Sequence, residues 1–148
     1  MDRNLEIQQG ATLLEALVAI LVFSIGIVGL LGLQAASAAN ASHAKFRADA
    51  GYLADQMIGH IWADRANIAL YNHYPGAGAN ACNPTGAAST NANVLAWLQD
   101  VATALPNATA ARQQIAVAAG NVVTVTVCWQ APGEAGPHNF SETAQING

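Results

Sequence analysis

The chain has 148 residues, 53% of them hydrophobic and 9% charged, with a net charge of −4 and a mean hydropathy of +0.27. That length holds one small domain and excludes a two-domain enzyme, while the low charge and high hydropathy exclude an intrinsically disordered chain. Five Lys and Arg against nine Asp and Glu exclude an electrostatic nucleic-acid binder, so no nucleic-acid partner is expected. The 33 alanines raise the average without adding bulk, which makes the local distribution of hydropathy the informative quantity.

The first ten residues, MDRNLEIQQG, hold Arg3 against Asp2 and Glu6. From Ala11 to Leu33 the sequence reads ATLLEALVAILVFSIGIVGLLGL, with Glu15 as its one charge. At about 1.5 Å per residue this makes a helix of roughly 34 Å, enough to cross a hydrocarbon core of about 30 Å. A fold of this size has little apolar surface with which to cover such a helix on all sides, so a membrane helix is expected. The pattern is not that of a cleaved secretory signal, which pairs a basic leader with a shorter apolar stretch and an A-x-A-like site. Small residues do follow the span, in QAASAANAS at 34–42. Glu15 is the costly residue, because a carboxylate within a span either finds a cationic partner or reaches back to the interface. Were the chain cut after Gly10, the new amine at Ala11 would lie about one helical turn from Glu15. A neighbouring copy could then offer its amine to that carboxylate in a charge-assisted pair.

Gly10-Ala11-Thr12-Leu13-Leu14-Glu15, followed by the apolar run, resembles the class III signal of type IV pilins and pseudopilins. The resemblance implies cleavage after Gly10 by a prepilin peptidase, N-methylation at Ala11, and use of Glu15 in subunit docking. Two positions depart from the family pattern: Ala11 stands where Phe is usual, and Gln8-Gln9 stand where Lys or Arg is usual. Positive-inside orientation therefore rests on Arg3 and the terminal amine.

Beyond Leu33 the helix is expected to continue to about Leu70. Phe46, Ala50, Leu53, Met57, Ile61 and Ile68 form an apolar stripe, and Lys45, Arg47, Asp49, Asp55, Asp64 and Arg65 mostly lie off it. Residues 71–93, rich in Gly, Asn, Ala and Pro, read as a loop. Val94, Leu95, Leu98, Val101 and Leu105 outline a short helix ending at Pro106, with Asn91 or Asn93 as its N-cap. Residues 114–118 and 122–130 form a hairpin about Gly120-Asn121, with Val123, Val125, Val127 and Trp129 on one face. An edge strand is placed near 138–143, and Trp62, Trp97 and Trp129 are read as core anchors. The helix VLAWLQDVATALP and the strand ending VTVTVCW are similar to those of minor pilins of the PilV type.

Cys82 and Cys128 both lie beyond the apolar segment. In an oxidising periplasm they would form a disulfide, contributing roughly 4 kcal/mol through loop closure; otherwise they are two buried thiols. His43, His60, His73 and His138 are scattered, with no HExxH and no pair of histidines four apart, so solvated or capping roles are expected and no metal site or cofactor is assigned. No catalytic motif is found, and an enzyme is not expected.

The expected fold is α+β and pilin-like, one long N-terminal helix packed on a small antiparallel sheet. The leader is placed at 1–10, the membrane and assembly helix at 11–33, and a periplasmic domain at 34–148. The resemblance implies a minor pilin in the inner membrane and then in a pilus, with prepilin peptidase and other major and minor pilins as partners. The alternatives are a minor pseudopilin of a type II secretion or competence system, and an unprocessed single-pass anchor presenting a small binding domain.

Overall fold

The computed structural model describes residues 5–147, with side chains described from Ala11 onward. Arg3, on which the expected orientation rests, lies outside the described residues, as does Gly148. The chain divides into two compact units, Met1–Ser42 and His43–Gly148. One element runs through both: helix α1, Leu5–Ala63. In the first unit nothing but helix is described. Ala and Leu without a proline favour it, and Ser24 turns its hydroxyl inward, donating to the Ile20 carbonyl at 2.7 Å.

The second unit is α+β, as the sequence pattern requires. It comprises the end of α1, a 3₁₀ turn at Arg65–Tyr71, helix α2 (Ala92–Ala104), and strands β1 (Gln114–Ala118), β2 (Val122–Trp129) and β3 (His138–Gln145). The expected stripe on α1 is the buried one: Ala50, Leu53, Met57 and Ile61 are enclosed, joined by Ala54 and Ile58, and Phe46 and Ile68 pack at its margin. On α2 the buried residues are Val94, Trp97, Leu98 and Val101, at the three- and four-residue spacing of one helix face. Trp97 also donates its indole N–H to the Leu53 carbonyl at 2.8 Å, tying the two helices through a buried hydrogen bond.

Three expectations are corrected. The α-helix stops at Ala63 rather than near Leu70, because Asp64 leaves helical geometry (φ −118°, ψ 39°). Its carboxylate instead accepts from Asn67 Nδ2 at 2.8 Å and from the Tyr71 hydroxyl at 3.0 Å, fixing the 3₁₀ turn that follows. Leu95 lies on the exposed side of α2, and Trp62 is 42% exposed on α1, so only Trp97 and Trp129 anchor the core. Asn91 is the N-cap of α2, its side chain accepting from the Asn93 N–H at 2.8 Å.

The sheet has the order β1-β2-β3, antiparallel throughout. The Ala118↔Val122 pair closes the hairpin over Gly120 (φ 75°) and Asn121 (φ 57°), two residue types that accept the left-handed conformation such a turn demands. Val123, Val125, Val127 and Trp129 of the central strand all point into the core, as alternation dictates. β3 extends two residues past the expected edge strand, and its hydroxyls meet those of β2 across the ladder, Thr124 with Thr143 at 3.0 Å and Thr126 with Ser141 at 2.9 Å. Phe140 of β3 covers Gly51 of α1, where an added Cβ would meet the ring at 3.6 Å.

Candidate functional site

Three places carry chemistry beyond packing. The first is the apolar half of α1. Every residue from 11 to 42 is exposed, including Leu13, Leu17, Leu21, Phe23, Ile25 and Leu33 at 60% or more. The segment is long and apolar enough to cross a membrane, and none of its most apolar stretch is buried within the protein. A helix apolar on all sides is stable only where lipid or other helices surround it, so this segment is compatible with a single-pass membrane anchor. Ala11 and Glu15 are both exposed on it, one helical turn apart, and Gly10 lies within the same helix. Gly26, Gly29 and Gly32 face open space, leaving the backbone accessible to close approach by another helix.

The second is the disulfide between Cys82 and Cys128, 46 residues apart in sequence, with Cα atoms separated by 5.6 Å. It fastens the loop at 76–90 to the central strand. Within that loop Gly76 and Thr85 form a backbone bridge, their N–H···O bonds 2.8 and 2.9 Å long. A Cβ at Gly78 would overlap the Asn83 carbonyl, so the chain can fold back on itself there only with glycine.

Buried polar side chains complete this framework. His73 is 1% exposed and fully paired: its Nδ1 accepts from the Ser89 N–H at 3.1 Å, which leaves Nε2 to donate to the Ala110 carbonyl at 3.0 Å. Gln113 accepts from the Cys128 N–H at 2.8 Å and donates to the Cys128 carbonyl at 3.0 Å, continuing the ladder with a side chain where β1 has not begun. These residues are structural struts. Tyr71 lies between Asp64 and Asn93, and burial foremost raises its pKa.

The third place is a cluster the sequence did not disclose. His43 on α1, Glu134 in the β2–β3 connection and His138 at the start of β3 come together, correcting the expectation that these histidines stay scattered. Glu134 Oε2 lies 2.7 Å from His138 Nε2, and Glu134 Oε1 lies 3.4 Å from His43 Nδ1. The hydrogen bond with His138, above all, holds the Glu134 carboxyl below the usual carboxylate range. The four-residue spacing from Glu134 to His138 was the signal available in the sequence; His43 could not be joined to it without the fold. Trp129 lines the same surface cavity, and its buried indole N–H has no hydrogen-bond acceptor.

Comparison with protein-family models, with curated proteins and with solved structures finds no match to this chain.

Proposed function

We propose that this protein is a filament subunit of the type IV pilin class, a minor pilin cleaved after Gly10, methylated on Ala11 and incorporated through its apolar helix. One observation carries the reading. An exposed, predominantly apolar helical segment holds a single carboxylate, Glu15, one turn from Ala11, in a helix that continues into a disulfide-fastened α+β domain. In lipid, the uncompensated Glu15 carboxylate is unfavourable by a few kcal/mol. In a filament the amine of a neighbouring subunit's Ala11 offsets that cost, so assembly gains from the residue that membrane residence penalises. The inner membrane, the periplasm and the other pilins follow as the setting and partners of this role, and the low charge of the domain suits lateral contact with them.

The deciding experiment is co-expression of the full chain with an active prepilin peptidase, followed by mass spectrometry of the N-terminal peptide. A peptide beginning at methylated Ala11 supports entry into the pilin pathway. An intact leader, with a control pilin processed in the same cells, overturns the proposal in favour of an unprocessed anchor. Glu15→Ala is expected to be cleaved normally yet incorporated several-fold less; incorporation at the parental level removes the docking role. Loss of surface pili against loss of protein secretion in a deletion strain separates a pilus from a type II secretion or competence machine.

A further inference from the structure

We propose that His43, Glu134 and His138 bind one divalent cation of the zinc class. Their three ligand atoms all lie within 4.8 Å of one another. A tetrahedral zinc ion with bonds of about 2.0–2.2 Å holds its ligands roughly 3.4 Å apart. The contact between His43 Nδ1 and Glu134 Oε1 is already 3.4 Å, and that between His138 Nε2 and Glu134 Oε2 is 2.7 Å. The remaining adjustment falls on two imidazoles whose side chains are 43% and 49% exposed. Two imidazoles with one carboxylate form a borderline donor set, which selects zinc and its neighbours over calcium or magnesium.

The surroundings are those of a supported ligand set. Glu134 is the least exposed of the three side chains and is held at both ends: the Ala131 N–H donates to its Oε2 at 3.3 Å, and Gln130 Nε2 donates to its backbone carbonyl at 2.9 Å. The His138 ring lies stacked beside Trp129, with an interplanar angle of 28° and centroids 5.9 Å apart. Such outer contacts fix the orientation of ligands and are part of what makes a site bind. The cluster opens on a cavity of about 260 Å³, also lined by Arg47 and Asn139, which leaves the fourth position to water. Among the described residues Arg47 is the one Lys or Arg lining the cavity; a bound ion and Glu134 together would leave a positive site that polarises the water towards hydroxide. Bound there, the ion would cross-link α1 to the β2–β3 connection and the start of β3. The inference does not depend on the filament role and survives or fails separately.

The test uses the tag-free full chain in detergent micelles, titrated with Zn²⁺ by calorimetry and with Co²⁺ by visible absorption. One ion per chain is expected, at a Kd of roughly micromolar order, with the strong visible bands of four-coordinate cobalt. His43→Ala, Glu134→Gln and His138→Ala should each weaken binding at least about tenfold, and His60→Ala, which alters an exposed histidine elsewhere on α1, should leave it unchanged. His43→Ala and Glu134→Gln are the decisive variants, and their near-UV circular dichroism establishes that the fold is retained. Binding no tighter than millimolar overturns the site, as does affinity that both variants keep or that His60→Ala abolishes. In those cases the three residues form a plain ion-pair cluster.

Discussion

Residues 11–42 and residues 43–63 belong to one helix, yet their surroundings are opposite. The first stretch holds one charge and is exposed on every side. The second sets Lys45, Arg47 and Asp55 towards solvent and buries Ala50, Leu53, Met57 and Ile61. Both are helical for the same backbone reasons, so helix formation is indifferent to where the apolar surface lies. What differs is the angular distribution of that surface: a stripe finds its partner within the chain, and a full cylinder must find it outside.

The largest effect should come from interrupting the cylinder. Leu17, Leu21 and Ile25 replaced together by Lys should disfavour membrane insertion by about 9 kcal/mol, at roughly 3 kcal/mol per charge. The protein should then move to the soluble fraction on carbonate extraction, whereas Tyr52→Lys, on an exposed position of the second stretch, should not redistribute it. Retention of the triple variant in the membrane would mean that the two stretches differ less than their exposure indicates.

Next in size is the disulfide, which belongs to the packed region alone. Cys82→Ser with Cys128→Ser should lower unfolding stability by roughly 4 kcal/mol, read from the urea midpoint, as expected for closing a loop of this length. An unchanged midpoint would show that the core holds the 76–90 loop without it.

Deleting apolar atoms sharpens the contrast within α1 itself. Met57→Ala removes a fully buried side chain and should cost about 3 kcal/mol. Leu21→Ala removes a comparable one from the exposed cylinder and should leave domain unfolding unchanged in micelles. Equal losses would refute the division into two units.

The smallest effect is electrostatic. Burial, and then the charge and hydrogen bond of Asp55 on α1, raise the pKa of Glu142 on β3. A carboxyl whose pKa is raised in the folded state stabilises the fold below its unfolded pKa, and that stabilisation is lost as the pH rises through the folded value. Glu142→Gln should therefore melt slightly higher than the parent at neutral pH, with the gap closing below about pH 4, where Glu142 is protonated in the folded and the unfolded chain alike. A gap constant across pH would assign it to packing instead.

Local features were legible where one periodicity operates alone. The apolar segment, the Ala50–Ile61 stripe, a cap at Asn91 or Asn93 and the alternation of β2 could all be read in advance, because each is decided by neighbours within a few residues. The end of α1 could not, since Asp64 breaks it through bonds to Asn67 and Tyr71. Trp62 was misplaced for a related reason: an aromatic ring attracts a core assignment, but its position on the helix circumference sends it outward.

The sequence by itself determined that this chain has an apolar cylinder carrying Glu15 and a following α+β segment, because hydropathy and spacing are local quantities. Only the tertiary structure decided that His43 meets Glu134 and His138, and that His73 and Gln113 are struts rather than sites. These pairings join residues far apart along the chain, and the path that closes the distance is fixed by how the packed faces of α1, α2 and the sheet fit together.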